Sequence, residues 1–348
     1  MESDVSSGGN PGSDTDPDAA WSPLAALDAL DRQIVHALQV DGRAPFNRLA
    51  QVLGVSDQTV ARRYARLRRE GAVRVLGLTD PLRLGLTPWL VRVRCTPDAA
   101  ASIGEALARR TDTRWVSLTS GGTEIFCVTH AARAGEADAL LLQKLPRTPR
   151  VVGVAAHALL HVFFGGDHSP VSRTGPLGPD EIRALTAPDA PARPPDTSEP
   201  VRLGPADHRM LEVLAIDGRT SAADLATATG WSQTTVRRRL SELRSCGALY
   251  YDLDFGGGRL FPELRTGLWL EVDPACLAEV GAALAGHHQI AFAAAITGNA
   301  NVYASLTCKD PEALYRYLTG PIAALPGLRR TETAPIHRLL KGAGPFPL

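Results

Sequence analysis

The phrases VDGRAP at Val40–Pro45 and IDGRTS at Ile216–Ser221 each place Asp-Gly-Arg directly after a short apolar run. A Leu-Ala pair and a Ser-x-x-Thr-Val segment, which begins at Ser56 or Ser232, follow each phrase. All three features recur at an offset of 176 residues, and residues 27–72 match residues 203–248 at 18 of 46 positions without a gap. Solenoid repeats have periods of roughly 20–50 residues, so this longer period indicates duplication of a domain within one chain.

Composition limits the class of protein. The 348 residues carry 37 basic and 37 acidic side chains, so affinity for nucleic acid would have to come from local clusters. No apolar run approaches the roughly 18 residues of a membrane span, and the N-terminus is acidic rather than signal-like. The five cysteines include no Cys-x-x-Cys pair, which argues against a disulfide framework and a zinc site. We expect a cytoplasmic protein that uses no metal ion, no cofactor and no membrane.

Two segments of biased composition flank the first half of the chain. Residues 1–21 are acidic and rich in Gly and Ser, which predicts a disordered tail. Residues 168–200 contain eight prolines and predict an extended linker, long enough for the two halves to fold back and pair.

The first part of each half, residues 22–78 and 201–255, has the pattern of three short helices. Apolar residues three or four apart predict a helix from residue 27 to residue 38, and a second helix fits residues 45–53. Gly54 allows a tight turn, and Ser56 is a suitable N-cap for a third helix that ends near Glu70. Ser232 caps the equivalent third helix of the second half.

The third helix of each half combines an apolar inner face with a polar outer face that carries arginine. A short helix, a Gly-containing turn and such a helix form a helix-turn-helix DNA-binding domain. In the major groove Arg reads guanine and Gln reads adenine, and further basic residues bind phosphate. A solvated, arginine-rich face is the alternative interpretation. The outer-face residues are Gln58, Thr59, Arg62, Arg63, Arg66 and Arg69 in the first copy, and Gln233, Thr234, Arg237, Arg238 and Arg244 in the second.

The second part of each half, residues 79–167 and 256–342, follows the order strand-helix-strand-strand-helix-strand. The first copy runs from WLVRVRC at residues 89–95 to RVVGVAAHALLHVFF at residues 150–164, and LWLEVD at residues 268–273 begins the second. This is the ferredoxin-like unit, an antiparallel sheet with helices on one face, and two units can cover each other's open faces. The sequence therefore predicts an α+β pseudo-dimer with two winged-type helix-turn-helix domains and two βαββαβ domains.

This combination resembles the Lrp/AsnC, or feast/famine, family of bacterial transcription regulators. The resemblance is strongest in LDALDRQIVHALQVDGRAPFNRLAQVLGVSDQTVARRYARLRREGAV at residues 27–73 and extends through TDPLRLG at residues 79–85. It covers residues 24–165 and 203–342, and implies binding of double-stranded DNA by an intrachain pseudo-dimer, with a higher homo-oligomer as an option. It adds two residues to the DNA-contacting set, Thr235 and Arg239.

In the family that this chain resembles, a turn between strands two and three of the effector domain lies beside a small ligand, usually an amino acid. The matching stretches predict two sets of effector-binding residues, which are Thr119, Gly121, Gly122 and Glu124 in the first copy and Thr297, Gly298, Asn299 and Asn301 in the second. Glycine would let backbone N–H groups approach a small anion. A tight hairpin that simply needs glycine is the alternative.

An enzyme is the competing prediction, because tandem proteins of similar layout include sirohaem decarboxylases that act on a tetrapyrrole through histidines and aromatic residues. His157 and His161 lie four positions apart on a predicted strand and would share one face. Ordinary half-buried histidines are the simpler interpretation. A protein that coats DNA without sequence preference is a third option, because phosphate binding uses the same arginines.

Overall fold

The computed structural model describes residues 27–129, 139–166, 175–186, 199–255 and 264–345. The predicted N-terminal tail lies outside the described residues. Within the described part, no helix is both long and apolar enough to cross a membrane.

Three helices form the first N-terminal domain, as the spacing of apolar residues predicts. They are α1 (Ala29–Val40), α2 (Phe46–Leu53) and α3 (Asp57–Arg69). The Ser56 hydroxyl accepts a hydrogen bond from the Thr59 N–H at 3.2 Å, which satisfies one of the free donors at the start of α3. Gly54 turns the chain with a φ of +66°, in the left-handed region that glycine enters at little cost.

The second copy repeats this domain and adds the same cap. Its helices are α6 (Pro205–Ile216), α7 (Ala222–Thr229) and α8 (Gln233–Ser245). The Ser232 hydroxyl accepts from the Thr235 N–H at 3.1 Å. Both copies therefore present a helix-turn-helix with a side-chain-capped third helix.

The two Asp-Gly-Arg turns hold the helix-turn-helix domains together. Arg43 donates to the carbonyl of Gly218 at 2.7 Å and to that of Thr220 at 3.0 Å. Arg219 makes the mirror contacts with carbonyls of the first turn, at 2.7 and 2.9 Å. We call this pair of interactions the reciprocal clasp. The motif occurs twice because each copy supplies one arginine and one set of turn carbonyls to the other.

The strand that follows each third helix pairs with its counterpart from the other half. β1 (Arg74–Thr79) and β6 (Leu249–Asp254) form a two-stranded antiparallel ribbon. Gly218 approaches this ribbon closely, because its N–H donates to the Val75 carbonyl at 2.8 Å and an added Cβ would lie 2.9 Å from the Gly77 nitrogen. The ribbon and the clasp fix the position of one helix-turn-helix domain relative to the other.

Each half continues into a βαββαβ unit. The first contains β2 (Trp89–Cys95), α4 (Ala100–Ala108), β3 (Thr113–Thr119), β4 (Glu124–Thr129), a π-helical turn at Ala139–Lys144 and β5 (Val151–Phe164). The second contains β7 (Leu264–Val272), α9 (Leu277–Gly286), β8 (Ile290–Ile296), β9 (Val302–Cys308), α10 (Pro311–Tyr317) and β10 (Leu328–Lys341). Residues 130–138 of the first unit lie outside the described residues.

The two sheets close into one eight-stranded barrel, in the order β10-β3-β4-β2-β5-β8-β9-β7. Both seams join strands of different halves, with Leu159 of β5 opposite Ile296 of β8, and Ile336 of β10 opposite Thr119 of β3. Apolar residues of both halves fill the barrel interior in an inter-sheet cluster of Leu90, Phe126, Leu159, Trp269, Ala294, Ile296 and Tyr303. The open faces that the sequence predicts thus cover each other.

The extended linker predicted at residues 168–200 needs a correction, because a helix lies within it. α5 (Pro179–Leu185) packs against α1 and α2, with Leu177 and Leu185 buried in the core of the first helix-turn-helix domain. Arg48 of α2 donates to the carbonyls of Ala184 and Thr186 at 2.7 and 3.1 Å. The high proline content suggested an extended segment, but Pro179 lies in the first turn of the helix, where proline is tolerated.

Candidate functional site

The outer faces of α3 and α8 form the first candidate site. Among the residues predicted to contact DNA, seven are exposed, and these are Gln58, Arg62, Arg69, Gln233, Thr234, Arg237 and Arg238. Arg62 and Arg69 form no ion pair with any described residue, so their guanidinium groups face solvent with their charge available. Thr59 and Thr235 are half-buried, and their hydroxyls lie 2.9 Å from those of the capping serines.

Two arginines of α3, the recognition helix of the first helix-turn-helix domain, bind to the start of α1 in the same domain. Arg63 pairs with Asp28 and with Asp31, the latter at 3.1 Å, and Arg66 also pairs with Asp31. Hydrogen bonds to these carboxylates raise the pKa of Arg63, while the Asp31 N–H and then Arg63 lower the pKa of Asp28. These arginines therefore hold α3 against the start of α1.

In the second domain an arginine of the recognition helix α8 also pairs with an aspartate of the first helix, but the surface of α8 differs in charge. Arg239 makes a two-pronged contact with Asp207 at 2.8 and 3.0 Å, and Arg238 pairs with Glu242 at 2.9 Å. Glu242 stands where the 176-residue offset places Arg66 in the first copy. The second helix-turn-helix domain thus has an acidic residue at a position where the first has a basic one.

A cavity of about 410 Å³ between the two effector domains is the second candidate site. It lies beside the inter-sheet cluster and is lined by charged and aromatic side chains from both halves, among them Arg92, His157, Trp269, Glu271, Arg330 and Glu332. Ligand pockets in proteins commonly enclose roughly 300–1,000 Å³ with a few convergent polar groups. The cavity has the size and lining of a small-molecule site.

Arg92 is the most constrained charge of this cavity. It donates two hydrogen bonds to Glu124, at 2.9 and 3.0 Å, and a third to Glu332 at 2.6 Å, while its guanidinium stacks 4.8 Å from the Trp269 ring centroid. Burial alone would lower the pKa of Arg92, but the hydrogen bonds to the two carboxylates outweigh this effect and raise the pKa above its ordinary value. Arg92 in turn lowers the pKa of Glu332, so both groups stay ionised near neutral pH.

The predicted effector residues of the second copy divide between the cavity and the scaffold. Gly298 and Asn299 line the cavity. Asn301 is committed to the backbone of Val272, accepting from its N–H at 2.9 Å and donating to its carbonyl at 2.8 Å. The Thr297 hydroxyl accepts from the Ala158 N–H at 2.8 Å, so both side chains stabilise strand ends.

In the first copy the predicted turn lies differently. Gly121 and Gly122 both have positive φ, and an added Cβ would meet no described atom within 4 Å, so the turn needs glycine for its backbone alone. Glu124 is buried and holds Arg92, and Thr119 donates to it at 3.3 Å. Glu124 therefore reaches the cavity only through Arg92.

The two histidines considered for the enzyme interpretation do not converge. A β-bulge interrupts β5 between Leu159 and His161, which reverses the alternation of side chains. His157 packs 5.2 Å from the Trp269 ring and its Nδ1 lies 2.7 Å from the Thr297 carbonyl, whereas His161 packs against Phe163 on the helix-covered side.

Sequence reasoning missed the charged residues of the cavity. Arg92 and Glu271 alternate with apolar residues on their strands, and Arg330 and Glu332 lie in the polar stretch RRTET, so all four looked like ordinary solvent-facing residues. One signal was available, because a face that must meet a second sheet should be apolar, and Arg92 breaks that rule within WLVRVRC.

Comparison with protein families identifies both kinds of domain. The AsnC-type helix-turn-helix domain matches residues 27–68 and again residues 206–244, and the Lrp/AsnC ligand binding domain matches residues 268–345. The chain contains two AsnC-type helix-turn-helix domains and an Lrp/AsnC ligand binding domain. Two copies of the helix-turn-helix confirm the tandem duplication, and the Lrp/AsnC effector topology of residues 264–341 recurs in residues 89–164.

Individual relatives agree with these domain assignments. An uncharacterized HTH-type transcriptional regulator of Pyrococcus furiosus is 29% identical over 121 residues, which cover 34% of this chain and 82% of the relative. A similar regulator of Pyrococcus abyssi is 27% identical over 130 residues, or 37% of this chain and 82% of that protein. Among solved structures, the siroheme decarboxylase NirDL shares the fold over 90% of this chain and 92% of its own, with a TM-score of 0.61 and 14% identity.

Proposed function

We propose that this chain is a sequence-specific DNA-binding transcriptional regulator with two non-identical reading heads and a small-molecule effector in the inter-domain cavity. The observation that carries the proposal is the pair of AsnC-type helix-turn-helix domains, each with a serine-capped third helix that exposes Gln and Arg. A capped, polar helix of this kind fits the major groove, and its arginines supply the local positive charge that the neutral chain lacks overall.

The proposal gives different roles to the predicted contact residues. Exposed Gln58 and Arg62, with Arg237 and Arg238 in the second head, read base edges. Arg69, near the end of α3, contacts phosphate. Arg63 and Arg239 act as positioning residues, because their ion pairs with Asp31 and Asp207 orient the helix rather than the nucleic acid.

The two heads would prefer different half-sites. Matched positions differ in chemistry, with Asp57 opposite Gln233 and Ala61 opposite Arg237 along the two recognition helices. Because an acid repels phosphate and an added arginine reads guanine, the natural operator should be asymmetric. Exchanging the recognition helices should exchange the half-site preferences, and unchanged preferences would contradict this part of the proposal.

Selection of bound fragments from sheared genomic DNA at two salt concentrations tests the proposal. We expect a recurring two-part site that survives the higher salt, and its loss in Arg62→Ala/Arg238→Ala. Arg109→Ala is the matched control, since it removes an exposed arginine whose only ion pair among the described residues is with Glu105 on α4. Fragments without a shared sequence, lost steeply as salt rises, would indicate DNA coating instead.

The proposal assigns the chain no catalytic role. A tetrapyrrole-acting enzyme is the competing function, suggested by the fold likeness to a siroheme decarboxylase. The cavity places Glu271 and Glu332 beside the two arginines, which disfavours a ligand that carries many carboxylates. Retention of no DNA at either salt, together with an absorbance change on adding an iron tetrapyrrole, would favour the enzyme.

A further inference from the structure

The cavity between the effector domains has an excess of negative charge. Arg92 is neutralised by buried Glu124, its bidentate partner. The remaining charges at the cavity are the carboxylates of Glu332 and Glu271 and the guanidinium of Arg330. The site as a whole therefore carries one net negative charge, counted as two arginines against three glutamates.

Two of these charges are available to a ligand. Glu271 and Arg330 lie directly opposite each other on β7 and β10, yet neither forms an ion pair within the described part of the chain. Glu332 is shared, because it binds Arg92 while its side chain remains 44% exposed. His157 presents its Nδ1 to the Thr297 carbonyl, so that nitrogen carries the proton. The acceptors that remain for a ligand outnumber the donors.

The cavity has no electrostatic equivalent on the other side of the pseudo-two-fold axis. Strand registers place Arg92 against Phe126 and Trp269 against Tyr303, so these two pairs occupy matching positions. By the same registers Arg94 matches Glu271, Gly153 matches Arg330 and Ala155 matches Glu332. At the counterpart site an arginine therefore replaces the carboxylate of Glu271 and a glycine replaces Arg330, and the Arg94 guanidinium would lie 3.2 Å from a Cβ added at Gly153.

We propose that the cavity binds one small organic cation per chain, with Glu271 and Glu332 contacting its ammonium or guanidinium group. This inference rests on the proposed function for its regulatory meaning and names the chemical class of the effector. A zwitterion would bring its carboxylate into a site of net negative charge, and an anion would meet two carboxylates with one unpaired arginine to balance them.

Calorimetric titration of the full chain without DNA tests this proposal with three probes that share a phenylethyl skeleton and differ in their charged groups. Phenethylamine is a cation, phenylalanine a zwitterion and 3-phenylpropionate an anion. We expect phenethylamine to bind at least about tenfold more tightly than the other two, with one molecule per chain. Tightest binding of phenylalanine or 3-phenylpropionate, two sites per chain, or no binding of phenethylamine would each overturn the proposal.

Two variants that remove charges of opposite sign from the cavity test the same proposal independently. Glu271→Gln should weaken phenethylamine binding about tenfold, and Arg330→Gln should strengthen it several-fold, because it removes a like charge. Glu279→Gln on α9 removes an exposed carboxylate away from the cavity and should change nothing. Equal affinities for all four proteins would contradict the assigned contacts. Because DNA is absent, failure here leaves the proposed DNA binding intact, and failure of the DNA selection leaves this result intact.

Discussion

Arg43 and Arg219 show how two side chains can fix the geometry of two domains. Each guanidinium reaches across to two carbonyls of the opposite turn, and Arg219 also stacks 4.3 Å from the Phe46 ring centroid. Carbonyl groups in such a turn have few other donors, so the arginines satisfy acceptors that would otherwise be left without partners. The clasp therefore contributes both orientation and stability.

Arg43→Ala should lower the free energy of unfolding by about 1–3 kcal/mol, because the carbonyls of Gly218 and Thr220 lose their donors. Arg43→Lys should recover little of this, since an ammonium lacks the planar fork that spans two acceptors. Chemical denaturation of the full chain measures both changes, with Arg109→Ala as the control. A change below about 0.5 kcal/mol in Arg43→Ala would show that the clasp is not stabilising.

Asp252 is a second residue with a measurable effect, on pH dependence. It lies opposite Leu76 on the ribbon, where burial raises the pKa of its carboxyl to about 6, and Asp254, paired with Arg74, adds to the rise. A carboxyl with a raised folded-state pKa stabilises the protein below its unfolded-state pKa, and this contribution is lost as pH rises through about 6.

Asp252→Asn should therefore gain stability relative to the unmodified chain between pH 4 and pH 7, by at most about 3 kcal/mol. The difference in free energy of unfolding should become flat below about pH 3, where the carboxyl is protonated in both the folded and the unfolded state. Denaturation at several pH values measures it, and a difference that does not vary with pH would refute the assignment. Glu279→Gln, on the exposed face of α9, supplies the control.

At the scale of elements, α5 makes the two helix-turn-helix domains unequal. It buries Leu185 completely against α1 and α2, and the Leu177 N–H donates to the Nδ1 of His36 at 3.1 Å. The connection between the halves thus completes the core of one reading head.

Leu185→Ala should destabilise the first helix-turn-helix domain by about 2–4 kcal/mol, because it leaves a cavity in a fully buried position. Hydrogen exchange should show faster exchange in α1 and α2, with α6 and α7 unchanged. Arg183→Ala, on the exposed side of the same helix, should leave both domains as they are. Equal loosening of the two domains would mean that α5 stabilises the whole pair.

At the scale of the whole molecule, the barrel interior couples the two halves. Phe126 stacks on Tyr303 at 5.1 Å between ring centroids and meets the edge of Trp269 at 6.1 Å, so a residue of the first half packs on aromatic residues of the second. The inter-sheet cluster therefore belongs to neither half alone.

Phe126→Ala should cost about 3–5 kcal/mol in free energy of unfolding and should loosen β7 and β9 as well as β2 and β4. Hydrogen exchange resolves the two sheets, and Val152→Ala at an exposed position serves as the control. Protection retained in the second sheet would show that the sheets are energetically independent.

The sequence specified local structure well and long-range partners poorly. Ser56 and Ser232 predicted the starts of the third helices because a cap acts within three residues. The succession of strands and helices along the chain followed from the periodicity of apolar residues. The reciprocal clasp could not be foreseen, since Arg43 finds its acceptors 175 and 177 residues away. His157 and His161 separated because a bulge shifted the register, and Asn301 turned to Val272 because a strand end needed its amide. The charges of the cavity could not be foreseen because they depend on which strands face each other across the barrel interior.

Because one polypeptide supplies both strands of each seam of the barrel, the two reading heads are made in a fixed one-to-one ratio. In a homodimer each substitution appears twice, whereas here a mutation alters one head and leaves the other intact. Each head can thus diverge by its own route under selection. Pairing of the two heads also needs no encounter between subunits, because the covalent connection sets their effective concentration however few copies a cell holds.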